Sequence, residues 1–84
     1  MNINYNKPVE IKVWWIDANG TSKWKYNSTK PAKCVTIGYL IKKTKKYIVV
    51  GQTIYKKWKM FTGEIVIPMG CVMKVKLLNR KWTG

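Results

Sequence analysis

Residues 34–54 read CVTIGYLIKKTKKYIVVGQTI, and this stretch decides the fold. Two apolar runs flank a five-residue basic connection, Lys42-Lys43-Thr44-Lys45-Lys46. Both runs are rich in β-branched and aromatic side chains, which suit a pleated surface, so both predict strands. The short link between them predicts a hairpin tip. In the first run, Cys34–Ile41, the residues Val35, Ile37, Tyr39 and Ile41 alternate at period two, and they are the expected core face. Gly38 inside that strand predicts a bend or a bulge. The second run predicts a strand over Tyr47–Ile54.

Working outward, Pro8 precedes Val9-Glu10-Ile11-Lys12-Val13-Trp14-Trp15-Ile16. Val9, Ile11, Val13 and Trp15 share one face and read as core. Glu10, Lys12, Trp14 and Ile16 share the other, so Trp14 is either a covered edge or an exposed contact. Asp17-Ala18-Asn19-Gly20 is a turn, because Asn-Gly tolerates positive φ. Thr21–Lys33 has no clean period and reads as a long loop, with room for one helical turn at Ser22–Tyr26. Trp24 is placed there to cap one end of the sheet. Beyond the hairpin, Tyr55–Gly63 is a basic-aromatic connection to a fourth strand, Glu64–Ile67. Pro68-Met69-Gly70 breaks the chain before a fifth, Cys71–Leu77. In that fifth strand Cys71, Met73, Val75 and Leu77 are expected inward, with Lys74 and Lys76 outward.

The chain has 84 residues, which is room for one domain. Residues 1–7 and 79–84 are polar termini expected to fray. Five short strands in so small a chain predict an all-β fold, a strongly bent five-stranded sheet closing into a small barrel.

The pieces Val35–Leu40, Tyr47–Val50 and Ile65–Val72 resemble small bacteriophage proteins. Those carry a Trp-x-Asp near the start, an apolar-Gly-aromatic-Leu strand, and an Ile-Pro-x-Gly break before a closing strand. Trp15-Ile16-Asp17 fits the first element, and the resemblance covers roughly residues 9–78. It implies a phage-type protein and no particular activity. More loosely, the strand order is similar to that of Sm-like and Src-homology-3-type barrels. That resemblance implies the barrel fold. The Sm-family Asp and Asn turn signature is replaced here by Lys42–Lys46, so it does not extend to ring assembly or uridine binding.

Charge dominates the functional reading. Seventeen Lys and Arg face three carboxylates, Glu10, Asp17 and Glu64, for a net charge of +14. Sixteen of the seventeen are Lys, Arg80 being the exception. Such a chain gains free energy from any polyanion it meets. An AT-rich genome would enrich Lys, but it would not deplete acids.

Catalytic constellations are missing from the sequence. There is no His, which is the usual general base. Glu10 and Asp17 are seven residues apart, roughly 23 Å along one strand, too far for paired acid–base work. The two cysteines, Cys34 and Cys71, lack the spacing and partners of a zinc site and read as small apolar thiols. The expectation is a protein that is not an enzyme, with no cofactor and no metal. Met1–Asn6 shows no secretory segment, and no apolar run reaches the roughly 18–20 residues of a membrane span. A cytoplasmic location follows as the expectation (the host cytoplasm, if the chain is viral).

Basic residues interleave with aromatic ones in three clusters. Lys42, Lys43, Lys45 and Lys46 adjoin Tyr47. Lys56, Lys57 and Lys59 surround Trp58, between Tyr55 and Phe61. Lys74, Lys76, Arg80 and Lys81 precede Trp82. Lys neutralises phosphates and aromatic faces accept stacked bases, the combination that sequence-tolerant nucleic-acid binding uses. Trp58 either contributes to such a surface or folds back over the sheet with its lysines snorkelling outward. A Lys-dominated surface favours phosphate contact over base reading. Nucleic acid, DNA or RNA, is the first expectation for a partner. The alternative is an oligomeric phage protein that sequesters a small anionic nucleotide ligand or inhibits a host protein. A third reading places the cationic and Trp residues at an anionic lipid surface.

Overall fold

A computed structural model describes residues 2–17 and 32–78. The described chain is all-β. Its seven strands are β1 (Glu10–Asp17), β2 (Ala32–Lys43), β3 (Tyr47–Gly51), β4 (Thr53–Tyr55), β5 (Met60–Thr62), β6 (Ile65–Pro68) and β7 (Val72–Leu78). Five form an antiparallel sheet in the order β6-β3-β2-β1-β7, and β4 and β5 form a separate two-stranded hairpin. The described residues make an open sheet with β6 and β7 at its edges, rather than a barrel closed by strand pairing. A 3-10 turn, Met69–Cys71, joins those two edge strands. Met69 and Cys71 pack against the core, and the Met69 N–H donates to the Lys46 carbonyl at 2.8 Å. The break expected at Pro68-Met69-Gly70 is this crossing.

β1 lies inside the sheet, paired with β2 on one side and β7 on the other. Directly opposed residues of an antiparallel pair share a face. On the inner face Ile11 and Val13 are wholly buried, and Trp15 packs against them. The core cluster is Ile11, Val13, Leu40, Ile48, Val50 and Ile67. The Trp15 indole N–H donates to Thr36 Oγ1 at 2.9 Å, which satisfies its polar atom on that face.

The face assignment of β2 needs correction. Val35 is 53% exposed and Ile37 48%, and with Tyr39 they lie on the outer face. Cys34, Thr36, Gly38 and Leu40 take the inner one. The β1 pairing sets these faces, Thr36 opposing the buried Val13 and Gly38 the buried Ile11, and a bulge between Leu40 and Lys42, with Ile41 the extra residue, lies beyond that stretch. Leu40 and Ile41 are both buried there, Leu40 in the core cluster and Ile41 beside Gly51. Gly38 is not the bulge. It is the point where β3 comes close: a Cβ there would lie 2.6 Å from the Gly51 carbonyl oxygen and 2.8 Å from Val50 Cγ1.

The fifth expected strand, β7, is corrected as well. Val75 and Leu77 oppose Val13 and Ile11 and so share the inner face, yet Leu77 is 61% exposed because nothing described covers this edge. Met73 is exposed at a second bulge, between the Trp14–Lys74 and Trp15–Val72 pairs. Lys74 and Lys76 point outward as expected.

The expected third strand is split at Gln52 into β3 and β4. The basic-aromatic connection after it forms the tip and second strand of the β4–β5 hairpin. The Lys42–Lys46 tip forms as expected: the Thr44 N–H donates to the Tyr47 carbonyl at 2.9 Å, and Thr44 Oγ1 accepts from the Lys46 and Tyr47 amides. The N-terminal segment, read as frayed, makes an Asn2–Lys42 bridge, and the Ile3 N–H donates to the Ile41 carbonyl at 2.7 Å. Both thiols are free and half-buried. The expected Asn19-Gly20 turn, the loop with Trp24, and the tail from residue 79 lie outside the described residues. Among the described residues no helix is long and apolar enough to cross a membrane.

Gly38→Ala is expected to lower the unfolding free energy by about 2 kcal/mol, since backbone must move to admit the methyl. For a domain this size, that is a drop of roughly 10 °C in Tm. Gly70→Ala, where a Cβ meets nothing within 4 Å, is expected to stay within about 0.5 kcal/mol of wild type. Thermal denaturation of the two variants checks the β2–β3 approach, and equal effects would contradict it.

Candidate functional site

The outer face of β2, β1 and β7 carries a grid of side chains set by strand register. Trp14 lies between Val35 and Lys74. Lys12, two residues back, lies between Ile37 and Lys76, and Glu10 between Tyr39 and Leu78. Ile16 opposes Lys33. Four lysines, Lys12, Lys33, Lys74 and Lys76, therefore share this face with one carboxylate, Glu10.

Trp14 is the centre of the grid. Lys12 Nζ stands 4.8 Å from its ring centroid and Lys74 Nζ 5.2 Å. Each contact is favourable by about 0.5–1 kcal/mol at an exposed site. Together they hold two ammonium groups beside one indole despite their mutual repulsion. Val35 and Ile37 extend the apolar floor beside the ring. The result is a flat aromatic and aliphatic platform with cations around it, open to solvent.

The inner and outer faces explain why two adjacent tryptophans differ. Trp15 is committed inward by Thr36 and the core. Trp14 is committed outward by alternation alone.

The structure distributes the sequence-predicted residues over three places. Lys74 and Lys76 join the platform. Arg80, Lys81 and Trp82, expected beside them, lie outside the described residues. Lys42, Lys43, Lys45 and Lys46 are exposed at the β2–β3 tip, with Lys42 Nζ 5.8 Å from the Tyr47 ring centroid. Lys42 is seven residues from Val35 along β2, no more than about 23 Å. Lys56, Lys57, Trp58 and Lys59 form the tip of the β4–β5 hairpin, and Trp58 is 64% exposed rather than folded over the sheet.

Lys12 and Trp14 were missed as site residues because they stand apart from every lysine cluster in the sequence. The available signal was their shared face at spacing two, facing the outward pair Lys74 and Lys76. Only the β1–β7 register brings the two sets together.

Beside the platform, β2 and β3 diverge. A cleft of about 450 Å³ opens there, bounded by Val35 and Ile37 on one side and Gln52, Glu64 and Ile65 on the other. Among the described residues no three His, Cys, Asp or Glu side chains lie together as a metal set. Comparison with protein-family models, with curated proteins and with solved structures returns no match to this chain.

The two tryptophans should separate in stability. Trp15→Ala is expected to cost about 3 kcal/mol, from lost packing and an unpartnered Thr36 hydroxyl. Trp14→Ala should cost about 1 kcal/mol, the scale of its two cation–π contacts. Urea denaturation measures both, and equal costs would contradict the inward–outward assignment.

Proposed function

We propose that this protein is a non-catalytic nucleic-acid-binding domain with weak sequence preference, contacting its ligand through the outer face of β2, β1 and β7. The observation that carries this reading is the Trp14 ring flanked by Lys12 and Lys74 on an open face, with Lys76 and Lys33 beside it. Lysines can pass from the indole to phosphates at little cost, and the freed ring then accepts a base. The net charge of +14 supplies long-range attraction to any phosphate backbone. Near-absence of Arg from the chain supports phosphate contact without base reading.

The same reading takes the sheet as a relative of Sm-like and Src-homology-3-type small barrels. The strand order β6-β3-β2-β1-β7, with a 3-10 turn between the edge strands, supports it. A phage origin and action in the host cytoplasm complete the proposal, on the strength of the Trp15–Asp17 and Ile67–Gly70 resemblance.

One observation favours the second reading, an oligomer that captures a small anionic ligand. Met73, Val75 and Leu77 are exposed on edge strand β7, a row of apolar side chains suited to a second copy. A discrete oligomer in light scattering without nucleic acid supports that reading, and a strict monomer removes it.

Binding to a labelled oligonucleotide, followed by fluorescence anisotropy across salt concentrations, tests the first. The log–log slope should be about −0.7 per phosphate contacted on single strands and about −0.9 on duplex. Replacing Lys12, Lys74 and Lys76 together by Gln should weaken binding and flatten the slope by about 2 to 3. Salt-independent affinity, or a triple variant equal to wild type, would overturn the proposal.

A further inference from the structure

The β4–β5 hairpin has two unlike faces. Ile54 and Phe61 oppose one another on the face that is half-buried. Thr53, Thr62, Tyr55 and Met60 occupy the other, with Tyr55 48% and Met60 53% exposed. Trp58 at the tip is more exposed still. Large apolar side chains held in water on a short hairpin contribute little to its stability.

Their geometry is nevertheless fixed. The Tyr55 and Trp58 rings meet edge to face, centroids 4.9 Å apart at 61°. With Thr53, Met60, Phe61 and Thr62 they wall a cleft of about 200 Å³. Lys56, Lys57 and Lys59 form the turn beside it. Lys59 takes φ 51°, the left-handed region that side chains other than Gly and Asn avoid. Its N–H donates to the Lys56 carbonyl at 3.3 Å. A strained lysine kept where glycine would fit better is the kind of outlier found at functional turns.

We infer that this cleft takes one unstacked base of a single strand, with the tip lysines on the flanking phosphates. The inference rests on the nucleic-acid reading above and adds a substrate class to it, single strand over duplex. A concave apolar slot suits a flat ring presented edge-on, and the cations suit the chain that carries the ring. In a duplex each base is already stacked and paired, so the slot stays empty. A lipid surface would instead need apolar side chains on a convex wedge.

The test compares oligothymidylate with a duplex of equal phosphate number, in wild type, Trp58→Ala, Trp58→Phe and the Lys12/Lys74/Lys76→Gln variant. Wild type should bind the single strand more tightly. Trp58→Ala should lose about tenfold on the single strand and less than twofold on the duplex. Trp58→Phe, which keeps a ring, should recover most of the loss, and circular dichroism should show each variant folded. The sheet-face variant should weaken both ligands together. If Trp58→Ala leaves single-strand affinity unchanged, or weakens both ligands alike, the cleft assignment falls while the sheet-face reading stands. If wild type binds neither oligonucleotide, both fall. If Trp58→Ala instead abolishes binding to anionic phosphatidylserine vesicles and spares oligothymidylate, the cleft belongs to lipid and the inference is overturned.

Discussion

Side-chain alternation along one central strand organises this molecule. β1 is paired on both edges, so its backbone is satisfied and its side chains can only go up or down. Ile11, Val13 and Trp15 go down, into a core whose other members come from β2, β3 and β6. Lys12 and Trp14 go up, between the outward residues of β2 and β7. A slip of one residue in either pairing would bury Lys12 and expose Ile11. The cost of burying that cation is what holds the register, and the register builds the platform.

The platform is thus a by-product of folding held in place by core energetics. Few of the described residues are fully buried, and the strong positive charge opposes compaction. The two cation–π contacts at Trp14 offset part of that repulsion locally. A phosphate chain would relieve more of it. The proposed affinity for polyanions would draw on this same crowding of lysine on a thin sheet.

Much of this was legible in the sequence where a local rule acts without interference. Both faces of β1 followed from period two. The Lys42–Lys46 tip followed from its length, and the chain break at Pro68–Gly70 from its Pro and Gly. Reading failed where the apolar face was not the core face or where an edge was left uncovered. On β2 the small or polar Thr36 and Gly38 lie against the core while Val35 and Ile37 face out, so apolar alternation pointed to the wrong face. Ile48, Val49 and Val50 are all buried, so β3 has no alternation to read. The β4–β5 hairpin was hidden because its turn has no Gly or Asn, Lys59 taking the left-handed position instead. On the platform, Lys74 and Lys76 were visible as outward lysines, while Lys12 and Trp14 needed the β1–β7 pairing to become part of a site.

Adjacent tryptophans on opposite faces provide the sharpest probe of this account. Their indole N–H signals can be followed by two-dimensional proton–nitrogen NMR during titration with oligothymidylate at low salt. The Trp14 indole should shift progressively with ligand, along with the amides of Lys12, Val35 and Lys74. The Trp15 indole, bonded to Thr36 beneath the sheet, should stay in place. A titration in which Trp15 moves as far as Trp14, or in which neither moves while ligand binds, would contradict a ligand seated on the outer face of the sheet.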